Sequence, residues 1–264
     1  MRRRKGAGPV NLPDGGGAVV VTGAGRGIGR ALTELLVDSG RPVLALDVDA
    51  EFVSRVADDL GDDVLALTCD VGVESDIEEA ARQARERFER LDGLVNNAGV
   101  SAGFDPATMT TDEWDKFFSI DLRACWLTTK HFLPALTASA PSSIVNVASI
   151  HSLVTVPHMF PYAAAKSAVV GLSRALALDL APRNIRVNVV SPGWTRTRLV
   201  QDWFDLQDDP VAAERSVLDV HPMGRIAEPE EIAEAIAFLL SLASSAITGA
   251  ELRADVGLST RMAT

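Results

Sequence analysis

The chain has 264 residues, with 36 acidic against 25 basic side chains and a net charge of −11. That balance argues against nucleic acid and anionic membrane surfaces as partners, and no apolar run reaches the length of a membrane span. Two cysteines, Cys69 and Cys125, are too few for a disulfide framework and suit a reducing cytoplasm, and the four histidines are scattered over different segments and offer no metal set.

The start, Met1-Arg2-Arg3-Arg4-Lys5, is basic but lacks the apolar stretch of a secretory signal, and glycine and proline are frequent up to Gly16. Residues 1–16 therefore read as a mobile tail. The run Ala18-Val19-Val20-Val21 then predicts a first strand over 18–22. It leads into Thr22-Gly23-Ala24-Gly25-Arg26-Gly27-Ile28-Gly29 and a helical segment from Arg30 to Leu36. A strand, tight turn and helix in that order aim backbone N–H groups and the positive helix end at an anion, and glycine lets a pyrophosphate approach the backbone closely. The spacing is Gly-x-x-x-Gly-x-Gly and not Gly-x-Gly-x-x-Gly; such turns also close strand–helix corners that hold no ligand.

The second strand candidate, 43–47, ends on Asp47, about twenty residues beyond the turn, where an acidic group meets an adenosine ribose. A carboxylate there accepts from ribose hydroxyls and repels a 2′-phosphate, which favours NAD over NADP. Arg26 argues the other way, because a cation in the turn can pair with that phosphate or lie over the adenine. Further strand candidates are 64–68, 92–96, 143–148, 186–190 and 249–253, with amphipathic stretches at 75–90, 111–138, 162–181 and 229–243. Strands alternating with helices predict a parallel sheet. The handedness of the crossovers makes it a doubly wound, Rossmann-type α/β sheet with helices on both faces. Residues 17–264 read as one domain, with a substrate lid at about 194–222.

Tyr162 and Lys166 stand four residues apart in Tyr-Ala-Ala-Ala-Lys, thirteen residues after Ser149. On a helix these positions share a face. An ammonium about 5 Å from a phenol, at an effective dielectric of about 20, stabilises the phenolate by roughly 3 kcal/mol. Such a tyrosine can exchange protons at working pH.

Taken together, these motifs and their order resemble the short-chain dehydrogenase/reductase family from about Gly17 to Gly257. Thr22 to Gly29 is similar to its cofactor turn, Cys69-Asp70-Val71 to its adenine-contacting element, and Asn96-Asn97-Ala98-Gly99 to its central-strand motif. Ile144 to Ser149 carries the serine, Tyr162 and Lys166 follow, and Ser191-Pro192-Gly193 through Thr197 resembles the nicotinamide-side loop. The resemblance implies that Gly23, Arg26, Gly27, Ile28, Gly29, Asp47, Asp70, Val71, Asn97, Ala98, Gly99, Tyr162, Lys166, Pro192, Gly193, Thr195 and Thr197 contact the nucleotide. It further implies that Tyr162 is the general acid/base, that Ser149 holds the reacting oxygen, and that Lys166 favours the phenolate while binding the nicotinamide ribose. No metal enters this scheme.

Asp121 departs from the family pattern, in which an asparagine usually completes a proton relay. An aspartate can keep the backbone carbonyl that such a relay uses, as a tolerated near-isostere, or it can bring a negative charge toward Lys166. Val256, in Asp255-Val256-Gly257, replaces a usual glycine and is expected to hold that turn to negative φ. The candidate pocket is lined by 100–104, 150–161 and the lid, where Trp194, Trp203, Phe204 and Leu206 can cover an apolar ring and Arg196, Arg198, Gln201, Asp202, Asp205 and His221 can meet hydroxyls. His151 and His158 flank the active-site loop.

The pattern resembles members that oxidise sugars at the anomeric carbon, beside which stand steroid and small alicyclic alcohols. An NADP-dependent carbonyl or 3-ketoacyl reductase is an alternative that the acidic surface disfavours. A catalytically weak NAD-binding sensor or scaffold is an alternative of another class. The resemblance also implies a homotetramer or homodimer formed through 111–138 and 162–181.

Overall fold

The computed structural model describes residues 16–101 and 103–261. Except for Gly16, the expected N-terminal tail lies outside the described residues. Seven strands, β1 (Ala18–Thr22), β2 (Val43–Asp47), β3 (Val64–Thr68), β4 (Leu91–Asn96), β5 (Ser142–Val147), β6 (Ile185–Pro192) and β7 (Glu251–Ala254), form one sheet in the order β3-β2-β1-β4-β5-β6-β7. Every pairing is parallel. The chain order reverses between β1 and β4, so the ends of those strands open the crevice in which such sheets bind ligands.

Alternation along each strand divides the core. Val19 and Val21 of β1 face α1 (Gly27–Asp38), α2 (Ala50–Leu60) and α9 (Pro229–Leu240), with Leu32, Leu36, Val53, Ile232 and Ile236. Val20 points the other way, with Leu94 and Ile144, toward α3 (Glu74–Arg87), α5 (Ala124–Ala138) and α6 (Tyr162–Leu180). Strands apolar on both faces are what a sheet covered by helices requires. Each fully buried leucine, such as Leu32 or Leu94, contributes about 2 kcal/mol.

The segment expected as one helix over 111–138 is three pieces: α4 (Thr111–Phe118), a π-helical turn at Ser119–Arg123, and α5. The wide turn sets Asp121 inward, 1 % exposed. The last strand also begins two residues later than expected. Val256 has φ +50, so the expectation of negative φ is overturned. The neighbouring Asp255 carboxylate accepts from Gly257 N–H at 3.0 Å and Ser259 N–H at 2.9 Å, and these bonds hold the turn against the preference of the β-branched side chain. Between β6 and α9, α7 (Arg198–Asp205) and α8 (Pro210–Val220) build a small apolar cluster of their own around Phe204, Val217 and Ile226.

Candidate active site

The glycine turn closes β1 against α1, and Asn97 holds it there. The Asn97 side-chain amide donates to Thr22 O at 3.0 Å and Gly23 O at 3.1 Å, while Thr22 Oγ1 accepts the N–H groups of Asn97 and Ala98, each at 3.0 Å. The turn is tight enough that a Cβ on Gly29 would lie 2.0 Å from Gly23 O. Asp47 closes the outer side, accepting from Gly25 N at 2.9 Å and from Asp49 N at 3.0 Å. Across the groove, Thr197 approaches Gly27, whose hypothetical Cβ would stand 3.2 Å from its methyl group.

The N-terminus of α1 decides what this groove suits. Arg26 makes no capping side-chain bond at the start of α1 and no acidic side chain occupies that first turn; α6 shares both features, but only at α1 does a glycine turn let an anion reach the free N–H groups closely. A helix end left with free N–H donors and a positive dipole is suited to an anion. The residues present therefore fit the pyrophosphate of a dinucleotide. Arg26 itself lies with its guanidinium 5.7 Å from the Phe52 ring centre. Of the remaining expected contacts, Asp70 accepts Gly72 N–H at 2.8 Å, Val71 is buried, and Pro192, Gly193 and Thr195 continue from the end of β6, Thr195 Oγ1 donating to Gly193 O at 3.2 Å.

Ser149 follows β5, and its Oγ accepts the His151 N–H at 3.3 Å. That bond leaves the hydroxyl proton free for another acceptor. Tyr162 opens α6 and Lys166 follows one turn later, its ammonium 5.4 Å from the phenol ring centre. Lys166 is 5 % exposed, and its Nζ stands 3.1 Å from Asp121 Oδ1. Asp121 Oδ2 accepts Val100 N–H at 2.9 Å, whereas Oδ1 has no aligned donor and meets the lysine as a charge. Gly99 passes beside both, where a Cβ would lie 3.0 Å from Oδ1 and 3.2 Å from Nζ. Burial alone would lower the Lys166 pKa, but the Tyr162 oxygen and the Asp121 carboxylate outweigh it and hold the ammonium above its ordinary value.

A family model described as enoyl-(acyl carrier protein) reductase matches residues 23–259. The 2,5-dichloro-2,5-cyclohexadiene-1,4-diol dehydrogenase of Sphingobium indicum is 37 % identical over 92 % of this chain and 96 % of its own. The cyclohexanol dehydrogenase of an Acinetobacter species is 32 % identical over 89 % and 92 %. The ligand-free aldohexose dehydrogenase of Thermoplasma acidophilum superposes with a TM-score of 0.85 at 33 % identity, covering 94 % of this chain and 96 % of that one. The chain belongs to the short-chain dehydrogenase/reductase family. As such it is an NAD(P)-dependent oxidoreductase acting on CH–OH donors.

In this short-chain dehydrogenase the glycine turn, Asp47, Asn97, Ala98 and the loop after β6 come together at the carboxyl ends of the strands. Tyr162, Lys166, Asp121 and Gly99 meet one another, and Ser149 joins them through His151, whose ring stands edge-on to Tyr162 with centres 5.7 Å apart. The residues expected to line a lid divide. Phe204 is 2 % exposed and stacks with Trp194 at 5.9 Å, so it serves the α7–α8 cluster, while Trp203 and Leu206 remain exposed. His221, expected among the lid residues that can meet hydroxyls, is buried, its Nδ1 2.6 Å from Val217 O.

Sequence reasoning missed the fixing role of the Asn97 side chain and a buried polar chain behind the site. Thr128 Oγ1 donates to Asn96 Oδ1 at 2.6 Å, Asn96 Nδ2 to Asn146 Oδ1 at 2.7 Å, and Asn146 Nδ2 to Ser173 Oγ at 2.8 Å. Its only sequence signal is a polar residue at an otherwise apolar strand position in each of β4 and β5.

Proposed function

We propose that the protein is an NAD-preferring dehydrogenase that interconverts a secondary ring alcohol and its ketone, with Tyr162 as general acid/base. The observation that carries the reading is Tyr162 one helical turn from a buried Lys166, with Ser149 following β5 at the same carboxyl end of the strands as the uncapped glycine turn. A bound nicotinamide supplies the hydride acceptor. Tyr162 Oη takes the hydroxyl proton as the C–H bond breaks, and returns it in the reverse direction. Ser149 donates its hydroxyl to the same oxygen and fixes the carbinol carbon in line for transfer. Lys166 keeps a positive charge beside the phenol and reaches the nicotinamide ribose, and Asp121 positions Lys166. Residues 194–222 act as a lid over the substrate.

NAD is favoured because the Asp47 carboxylate, held by two backbone N–H groups at the end of β2, occupies the place a 2′-phosphate needs. Arg26, exposed beside it, is the one observation that favours NADP. Ring alcohols are favoured by the relatives named for cyclohexadienediol and cyclohexanol, and by the exposed apolar Trp203 and Leu206 on the lid. A second copy of the chain, forming a homodimer or homotetramer, suits the groove between α4–α5 and α6. Phe118, Leu122, Ala168 and Leu172 line it, and Trp126 stands 48 % exposed. No described helix is long and apolar enough to cross a membrane.

A screen of cyclohexanols, sugars, polyols and hydroxysteroids, each with NAD and NADP and read by absorbance of the reduced nicotinamide, tests the whole reading. Turnover of a ring alcohol with NAD above NADP is expected. Faster turnover with NADP, or with 3-ketoacyl thioesters, overturns it.

A further inference from the structure

His151 lies two residues beyond Ser149 and is half-buried, with its ring against that of Tyr162. One of its nitrogens is already committed. Nδ1 is 3.0 Å from Thr155 Oγ1, and that hydroxyl turns toward Val156 O at 3.5 Å. With the Thr155 proton on Val156 O, the hydroxyl offers its lone pairs to the ring, and the imidazole proton sits on Nδ1. Burial pushes the His151 pKa below its ordinary 6.5, which keeps the ring singly protonated near neutrality.

Nε2 is then a bare lone pair, and it makes no hydrogen bond among the described residues. The side chains that follow in the same loop, Leu153, Val154 and Val156, are apolar and exposed. An acceptor fixed in orientation by its own loop, beside the phenol assigned to proton transfer and next to aliphatic side chains, suits a ring that carries one further donor.

We propose that His151 Nε2 accepts a hydrogen bond from a second hydroxyl of the substrate, so that the enzyme acts on ring diols or polyols in preference to ring mono-alcohols. This deepens the dehydrogenase reading and rests on it. The group recognised is a donor: a hydroxyl fits, whereas a methoxy, carbonyl or carboxylate group at the same place meets a lone pair with a lone pair. His151 reads the substrate, and Tyr162 and Ser149 act on it.

The test compares cyclohexane-1,2-, 1,3- and 1,4-diols with their mono-methyl ethers, and cyclohexanol, on the wild type, His151→Leu and His151→Gln. Thermal unfolding and NADH binding verify that each variant is folded. The wild type is expected to favour at least one diol over its ether by about tenfold or more in kcat/KM, the worth of one hydrogen bond. The leucine variant should bring that ratio to within about threefold of one, and glutamine, whose side-chain carbonyl accepts, should retain part of it. A wild type that treats diols and ethers alike, or a leucine variant that keeps the full ratio, overturns this inference while leaving the dehydrogenase reading intact. Absence of turnover on every alcohol overturns both.

Discussion

Lys166 Nζ stands 3.1 Å from Asp121 Oδ1, while Oδ2 of the same carboxylate accepts the Val100 N–H at 2.9 Å. One side chain thus neutralises the buried ammonium and fixes the loop that leaves β4. Asparagine keeps an acceptor for Val100 but removes the charge, so Asp121→Asn separates the two roles.

A lysine held above its ordinary value stabilises the fold fully below its unfolded pKa of about 10.5, and loses that contribution only as pH rises through the folded value. In Asp121→Asn the buried ammonium has lost its carboxylate while the desolvation remains, so its folded pKa falls from its raised position. We expect a loss of about 3 kcal/mol at pH 7, of the size seen when a buried pair is broken. The deficit should shrink at alkaline pH, as the stranded lysine sheds its proton. Urea unfolding of both proteins at several pH values measures this, and a deficit constant across the range counts against an uncompensated charge.

Tyr162→Phe should remove nearly all turnover while NADH binding stays within about threefold of wild type, since only the proton-transferring oxygen is lost. Fluorescence titration of NADH and the rate on an accepted alcohol give the two readouts. A variant that keeps most of its kcat assigns the proton transfer elsewhere.

Asp47→Ser removes the carboxylate at the end of β2 and with it the repulsion of a 2′-phosphate. The ratio of kcat/KM for NAD to that for NADP is expected to fall by about tenfold or more. Part of the change should appear as weaker NAD binding, because Gly25 N–H loses a charged acceptor. An unchanged ratio would show that Asp47 only shapes the turn.

Arg41 is 4 % exposed, donates from Nε to Gly17 O at 2.8 Å and pairs with Asp92, which takes Gly17 N–H at 2.7 Å. Burial lowers the Arg41 pKa and Asp92 opposes that shift, so Asp92 compensates a buried, persistent charge. Asp92→Ala should cost about 3–5 kcal/mol, whereas Glu51→Ala, which breaks the exposed pair with Arg55, should cost less than about 1 kcal/mol. Equal losses in chemical denaturation would contradict the distinction.

The fold was legible because parallel strands covered on both faces are continuous apolar runs: 18–22, 43–47 and 64–68 match β1, β2 and β3 residue for residue. Tertiary contacts decided the rest. Nothing in Ser119-Ile120-Asp121-Leu122-Arg123 breaks a helix; the π turn accompanies an aspartate bonded to Val100 and facing Lys166. Local preference likewise argued against φ +50 at Val256, but the Asp255 carboxylate binds the two N–H groups beyond it. The proximity of Tyr162 and Lys166 followed from helical spacing alone. The proximity of Asp121 to Lys166 needed the sheet to bring two helices together. The burial of His221 was not legible, because burial at the end of α8 depends on what packs over it.

A dinucleotide held at the bare N-terminus of α1 would couple the stability of the protein to the nucleotide pool. A ligand that binds only the folded chain raises its stability by about 2.7 kcal/mol at a hundred times its Kd. Starved of dinucleotide, the chain keeps the same atoms and contacts but spends a larger fraction of its time unfolded, within reach of proteases. Abundance of the enzyme would then follow the availability of its cofactor without any change in synthesis.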